Sequence, residues 1–294
     1  MLDLSHIPNS QQDIKVFYSN GINNAWQTWQ KPRKCNYVWM MCIGGGGGGA
    51  GGQIGFLNVS SNPGGGQGAV TRALYNAQQL PDRLYIQVGI GGTGGGPGST
   101  GNPGTRSIIA LQPVVAPQNL VAISGNAGAA GGSIFTTTPG ETAATQATAT
   151  FFTLSSFIST QGVTTAQPNG PTAPLITPLT SQITCQGAAG AGQSSITLVT
   201  NNGGSIASSS ISPFISGGLG AIDDVSNAQN GQNGITSWKP FYSLGGTGGG
   251  SAINGSGGNG GNGGIGSGGG GGGQSNSPGS GGKGGDGLVI IISF

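Results

Sequence analysis

Histidine is the side chain that most often acts as a general base near neutral pH, and this chain of 294 residues contains one, His6. A catalytic triad needs a nucleophile and a carboxylate aligned with the imidazole, and a structural zinc ion usually takes several His or Cys ligands. A lone histidine close to the N-terminus favours neither kind of centre. We interpret His6 as a surface or interface residue and predict no metal-binding residues.

Paired carboxylates could perform general acid and base chemistry, as in glycosidases. The chain has seven acidic residues: Asp3, Asp13, Asp82, Glu141, Asp223, Asp224 and Asp286. Only Asp223 and Asp224 are adjacent, and adjacent side chains of an extended segment point to opposite sides. We interpret this pair as part of a solvated turn, and we predict no catalytic residues and no enzyme activity.

Glycine motifs could bind phosphates, but Gly-x-Gly-x-x-Gly patterns arise by chance in a chain with 65 glycines. None of them opens a strand-to-helix unit that also holds a phosphate-binding lysine. Residues 281–289 fit the calcium-roll nonapeptide once, whereas a calcium roll needs stacked copies. We therefore interpret Asp286 as a turn residue before the last strand, and we predict no cofactor.

Cysteine and aromatic residues are the remaining candidates for a site. Cys35, Cys42 and Cys185 have no metal-binding or redox spacing, so we expect buried or partly buried free thiols. Two aromatic clusters occur in the sequence: Trp26, Trp29, Tyr37 and Trp39, and later Trp238, Phe241 and Tyr242. They could stack on carbohydrate, but packing in the core or at a subunit interface is the favoured interpretation.

Charge is sparse, with nine basic and seven acidic residues and a formal net charge of +2. The basic residues are scattered except between Lys31 and Lys34, so a clustered nucleic-acid-binding face is not expected. Residues Met1 to His6 lack the pattern of a secretory signal, and no window of about 18 apolar residues occurs. We expect neither nucleic-acid binding nor membrane insertion.

The elements that would position any site are strand-like runs bounded by glycine tracts. Examples are Val38–Ile43, Leu84–Val88, Ile108–Leu111 and Leu288–Ile292. Strands that end at a glycine tract alternate with strands that begin from one, as antiparallel connection requires. The sequence predicts an all-β, antiparallel, jelly-roll-like sandwich with its glycine-rich loops at one pole. The last strand is expected to be buried on both faces, beside Val38–Ile43.

The glycine tracts have two alternative states. They could be flexible linkers, or extended threefold helices of the polyglycine-II type that hydrogen-bond laterally. Clustering at one pole favours the ordered state, and residues 255–264 show a partial three-residue rhythm. Because each ordered glycine loses extra backbone entropy, we expect oligomerisation to stabilise the protomer.

We divide the chain into four parts. They are an anchoring arm (1–24), the first part of the sandwich (25–132), a Thr/Ser/Pro-rich insertion (133–184) and the second part of the sandwich (185–294). Within the insertion, a capping box at Thr138–Glu141 and near-helical apolar spacing predict a helix over about 139–160.

Three stretches resemble the glycine-rich domain of phage tail-fibre and virion structural proteins. They are Trp26–Gly52, residues 80–89 and residues 284–292. The resemblance covers about 25–130 and 235–294. It implies a β-sandwich with glycine loops that is displayed on a particle, is often trimeric, and in some members carries a receptor-contacting tip of polyglycine helices. It supplies no catalytic residues.

The expected function is therefore that of a non-enzymatic virion structural protein on the particle surface, in a tail fibre or a capsid spike, contributing to host attachment. The expected partners are further copies of the chain, with a trimer favoured, other virion proteins, and a host receptor or glycan. A minor capsid or cement protein that stabilises the particle is the alternative. A polysaccharide depolymerase would need a carboxylate pair that the sequence does not offer.

Overall fold

A computed structural model describes residues 13–22, 25–54, 62–114, 121–125, 127–128, 130–131, 158–160, 175–178, 183–192 and 199–294. In this part of the chain the regular elements are eleven strands and one short 3₁₀ helix, Ala77–Gln79. The strands are β1 (Asp13–Tyr18), β2 (Trp26–Gln30), β3 (Tyr37–Ile43), β4 (Val70–Asn76), β5 (Arg83–Gln87), β6 (Ser107–Ala110), β7 (Val121–Gly125), β8 (Ile158–Thr160), β9 (Thr236–Trp238), β10 (Phe241–Ser243) and β11 (Leu288–Ser293). All pairs between these strands are antiparallel, which confirms the predicted all-β class.

The first sheet has the strand order β1-β11-β3-β4-β8. β11 lies between β1 and β3, with Leu288 opposite Ile43 on one side and opposite Tyr18 on the other. All six residues of β11 are buried. The consecutive apolar residues of this strand therefore correspond to a central position covered on both faces, and the predicted neighbour β3 is confirmed.

The second sheet has the order β2-β5-β6-β7, and β9 and β10 form a separate hairpin. The two sheets pack face to face through a core in which Val38, Met40 and Tyr75 of the first sheet meet Leu84 and Ile86 of the second. Each of these side chains is fully buried. The result is a small, open antiparallel sandwich.

A polar cross-link fixes the turn between β4 and β5. The Asn76 side chain accepts a hydrogen bond from the Gln78 N–H at 2.9 Å and so caps the 3₁₀ helix. Lys31, which follows β2, donates from Nζ to the Ala77 and Leu80 carbonyl oxygens at 3.0 and 2.7 Å. This turn contains Asn, Gln and Pro rather than a glycine tract, as expected at the pole opposite the glycine tracts.

The predicted helix over about 139–160 is wrong at its C-terminal end. Ile158–Thr160 form β8, which pairs with Val70–Arg72 of β4. Pairing with an open sheet edge satisfies the backbone of these residues and overrides their near-helical apolar spacing. Residues 139–157 lie outside the described residues.

Strands of the sandwich, and β10 of the separate hairpin, continue directly into glycine tracts. β3 runs into 44–52, β5 into 89–98 and β10 into 244–252, while β4, β6 and β11 each begin from a tract. At this junction Ser107 Oγ accepts from the Gly89 N–H at 2.9 Å and donates to the Ile43 carbonyl at 2.6 Å. The pole of the sandwich where glycine was expected is therefore tied across both sheets.

Candidate functional site

The glycine tract at 44–52 is an ordered extended helix with a three-residue period. Successive N–H groups point in three different directions, so every third residue donates a hydrogen bond to the same neighbouring segment. Gly46, Gly49 and Gly52 donate to the carbonyls of Gly285, Gly282 and Gly279 at 2.8, 2.9 and 2.7 Å. Gly45, Gly48 and Gly51 donate to Thr105, Asn102 and Ser99, each at 2.9 Å. Three residues per turn without internal hydrogen bonds is the polyproline-II geometry, here built from glycine.

Six segments surround this tract. It donates hydrogen bonds to 99–105, 279–285 and 63–66, and it accepts them from 92–98, 128–131 and 269–272. The tracts at 244–252 and 267–274 are each surrounded by six segments in the same way. We call these three core tracts and the segments hydrogen-bonded around them the glycine bundle. The prediction that the glycine tracts are polyglycine-II helices at one pole is confirmed.

Most interior positions of the bundle admit only glycine, although a few small or polar residues such as Ala50 and Thr247 are also buried in its core tracts. A Cβ atom at Gly49 would lie 2.1 Å from the carbonyl oxygen of Gly270, and one at Gly65 would lie 2.0 Å from that of Gly47. Both distances are far below van der Waals contact, and the obstructing atoms belong to the backbone. Backbone hydrogen bonds between buried segments therefore hold most of this half of the molecule together, beside one small apolar cluster that includes Ile206, Ile215 and Leu244.

One side of the bundle is a regular array of polar side chains. Segments 227–234, 256–263 and 277–283 lie side by side and parallel, joined by bonds such as Gly231 N–H to the Asn259 carbonyl at 2.7 Å and Gly260 N–H to the Ser280 carbonyl at 2.8 Å. Every third residue of each segment faces outward. We call these nine positions the asparagine face: Asn227, Asn230, Asn233, Ser256, Asn259, Asn262, Ser277, Ser280 and Lys283. All are exposed except Ser280, which is half-buried.

The asparagines cap the backbone of the neighbouring segment. The Oδ1 atoms of Asn227, Asn230 and Asn233 accept from the N–H groups of Ser256, Asn259 and Asn262 at 2.8, 2.7 and 2.8 Å. Asn259 and Asn262 in turn accept from the N–H groups of Ser280 and Lys283, both at 2.8 Å. Each asparagine side chain thus supplies the acceptor that the carbonyl of a further backbone segment would have provided. No further segment is needed on this side, so the asparagines form the lateral edge of the glycine bundle.

Asp286 caps a neighbouring segment in the same manner. One of its carboxylate oxygens accepts from the Gly91 N–H at 2.8 Å and also pairs with the Lys283 ammonium at 3.0 Å. Asp286 does precede β11, but it lies in an extended segment rather than in the expected turn. The Asp286 carboxylate is therefore engaged as a backbone cap and as an ion-pair partner.

Asp223 and Asp224 lie in an exposed bend between bundle segments, as expected for a solvated turn. Asp223 Oδ1 accepts from the N–H groups of Val225 and Ser226 at 3.1 and 2.6 Å. Hydrogen bonds from Ser226, its side chain first, lower the pKa of the Asp223 carboxyl. A carboxylate that already caps a turn is held away from general acid chemistry.

The aromatic residues divide between the core and the surface. Trp29 is buried between the sheets, whereas Trp238 is 47% exposed and packs edge-on against Tyr18 with ring centroids 6.4 Å apart. Tyr37 contacts Phe294 on the outer face of the first sheet. Core packing is thus confirmed for Trp29, and Trp238 lies on a partly open surface.

The three cysteines are free thiols, two of them buried and Cys35 partly buried, as predicted. Burial raises the pKa of the Cys185 thiol to about 11. His6 lies outside the described residues. Among the residues that the structure describes, no three His, Cys, Asp or Glu side chains are grouped so that they could hold a metal ion. No helix in the same part of the chain is long and apolar enough to span a bilayer.

The asparagine face was not identified as a unit from the sequence, although its signal is present there. Asn227, Asn230 and Asn233 repeat every three residues, as do Asn259 and Asn262. The period indicates a threefold helix, but which segments become neighbours depends on contacts between residues about 29 apart, which local spacing does not reveal.

Comparison with protein-family models matches residues 22–293 to a glycine-rich domain. The match begins before β2 and ends at the last residue of β11, so it takes in the glycine bundle and both sheets except β1. No relative was found among curated proteins. Because the matched region covers most of the chain, the protein belongs to the glycine-rich domain family.

Proposed function

We propose that the protein is a non-enzymatic structural component of a virion, displayed on the particle surface in a tail fibre or capsid spike, where the glycine bundle contributes to host attachment. The observation that supports this proposal is the bundle itself. It extends the sandwich strands into a hydrogen-bonded projection whose surface can vary while its glycine interior is fixed.

The bundle is suited to recognition because its exposed groups are rigidly placed. Surface loops usually lose conformational freedom on binding, whereas side chains on a preformed lattice lose less. The turns at its outer end also expose apolar residues, with Ile222 93% and Val225 77% exposed. These turns and the asparagine face are the surfaces that we assign to contact with the host.

The location is tested by immunogold electron microscopy of particles that incorporate the chain, using an antibody raised against residues 222–227. We expect gold at fibre or spike tips, and we expect the antibody to block adsorption to host cells. Absence of label on intact particles, followed by label after the particles are disrupted, would contradict outward display.

An architectural role as a cement protein is the second candidate, and the outer face of the first sheet favours it. Ile14, Val16 and Tyr18 of β1 are 49%, 37% and 53% exposed and lie on the same face as the buried Ile290. Exposed apolar residues that continue a buried cluster are typical of an interface. We assign this face to contact with another copy of the chain, since a protomer rich in glycine has few other side chains to bury.

A further inference from the structure

We propose that the asparagine face binds an extended neutral polysaccharide. This inference deepens the proposed attachment function, on which it rests, by naming a surface and a class of ligand. It starts from the amide groups of Asn227, Asn230, Asn233, Asn259 and Asn262. Each Oδ1 atom is occupied by a backbone N–H, while no Nδ2 atom of the five donates to any described residue.

The Nδ2 donors of these five asparagines form a regular two-dimensional array, or grid. Along a segment, outward side chains recur every three residues, which is about 9 Å at the rise of an extended threefold helix. Between hydrogen-bonded neighbouring segments the spacing is roughly 5 Å. A regular grid is best matched by a ligand that also repeats, because each further contact on one polymer is then intramolecular.

The amides are also held in place before any ligand arrives. An asparagine amide has one acceptor oxygen and two N–H donors. Because the oxygen is tied to the backbone of the next segment, the orientation of the donors is fixed, and binding costs little side-chain entropy. Hydroxyl and ring oxygens of a sugar polymer are acceptors of the kind that these donors need.

The charge and the capped backbone of the asparagine face argue against a polyanion or a peptide as the ligand. Lys283 is the one cation of the asparagine face, and Asp286 pairs with it at 3.0 Å, so the face has no net positive patch for a polyanion. Bound peptides commonly use side-chain pockets or an open sheet edge, whereas here the neighbouring backbone N–H groups are already capped. A donor array in which the single cation is neutralised by an ion pair fits a neutral sugar chain.

The test is native affinity electrophoresis of the purified full-length chain in gels that contain dextran, mannan or a soluble β-glucan, with alginate as the charged comparison. We expect at least one neutral polymer to retard the protein and alginate to have no effect. Retardation by alginate alone, or by none of the four polymers, would overturn the proposal.

Variants separate binding from structural capping. Asn259→Asp and Asn262→Asp retain the Oδ1 acceptor but lose the amide donors, as Asp286 shows for a carboxylate cap. Each is expected to weaken retention roughly 3- to 10-fold, the effect of losing a typical hydrogen bond. Asn202→Asp is the matched control, because the exposed Asn202 caps the Gly220 N–H at 2.9 Å on a segment outside the asparagine face.

Asn202→Asp should be retained like the wild type. Equal weakening in this control would mean that added charge, and not the array, changes mobility, and the proposal would fail. The assay uses isolated protein and the immunogold experiment uses particles, so failure of one is distinguishable from failure of the other.

Discussion

Gly49 and Gly96 lie in opposite surroundings. A Cβ at Gly49 would meet backbone atoms at 2.1 and 2.5 Å, whereas a Cβ at Gly96 would meet nothing within 4 Å. Glycine content alone therefore does not show where glycine is needed. Glycine is required only where the backbone of another segment lies against the residue. Single alanine substitutions therefore test which segments of the glycine bundle are in close contact.

Gly49→Ala is expected to lower the free energy of unfolding by more than about 3 kcal/mol, because the methyl group must displace a hydrogen-bonded neighbouring segment. Gly96→Ala should stay within about 1 kcal/mol of the wild type. Urea denaturation followed by fluorescence measures both. Equal midpoints for the two variants would contradict the close approach of the segments.

The caps of the asparagine face can be tested one residue at a time. Asn259→Ala leaves the Ser280 N–H without its protein acceptor and should lower the free energy of unfolding by about 1 kcal/mol. Asn259→Asp retains an acceptor and should be the milder change. If thermal unfolding ranks the two variants in the opposite order, the capping interpretation is wrong.

The Cys185 thiol has a predictable effect at alkaline pH. Its pKa is raised by burial to about 11, above the value of an exposed thiol near 8.5. Between these values the unfolded chain loses the proton first, so the free energy of unfolding should fall as pH rises from about 9 to 11. Urea midpoints at several pH values should fall less steeply in Cys185→Ala. A slope identical to that of the wild type would contradict the raised pKa.

At the scale of the element, the structure joins two backbone periods. β3 alternates every two residues, with Val38 and Met40 toward the second sheet, and the following tract at 44–52 repeats every three. Both forms are extended and bond laterally, so one can pass into the other without a turn. β3 thereby sets where the core tract at 44–52 begins.

Amide hydrogen exchange distinguishes this arrangement from flexible linkers. The N–H groups of Gly46 and Gly270 are bonded at 2.8 Å within buried segments and should exchange as slowly as those of β3. The exposed Gly21, outside the bundle, serves as the fast-exchanging control. Exchange of the core tracts at the rate of Gly21 would overturn the ordered bundle.

Much of the sandwich is predictable from sequence, and specific residues show why. Leu288–Ile292 are consecutively apolar, and that pattern placed β11 in the centre of a sheet beside β3. The pairing of bundle segments was not predictable, because glycine has no side chain to report a buried face. Ile158–Thr160 were assigned wrongly, since spacing compatible with a helix was overridden by the free edge of β4.

At the scale of the whole molecule, the sandwich and the bundle are stabilised mainly by different interactions. Apolar side chains such as Tyr75 and Ile86 pack the sandwich, and backbone hydrogen bonds between glycine segments hold the bundle. The sandwich also exposes an apolar outer face around Val16, whereas the asparagine face of the bundle is polar. In the proposed function, the outer face of the first sheet serves assembly and the glycine bundle serves contact with the host.

The expected homo-oligomer is tested by sedimentation. Val16→Lys adds a charge to the outer face of the first sheet and should shift the protein from a trimer toward a monomer, because an unpaired charge in an interface is costly. Ile222→Lys is the matched control at the outer end of the bundle and should leave the mass unchanged. A wild-type chain that sediments as a monomer would exclude this interface.

The three-residue turn of the core tracts also constrains how such a chain can change in length. Inserting one residue into 44–52 would rotate each later N–H by about 120° and direct it at the wrong neighbour. Inserting three residues restores every direction and lengthens the tract by about 9 Å. Tolerated insertions and deletions should therefore come in triplets of residues, so that these projections grow or shrink by whole helical turns.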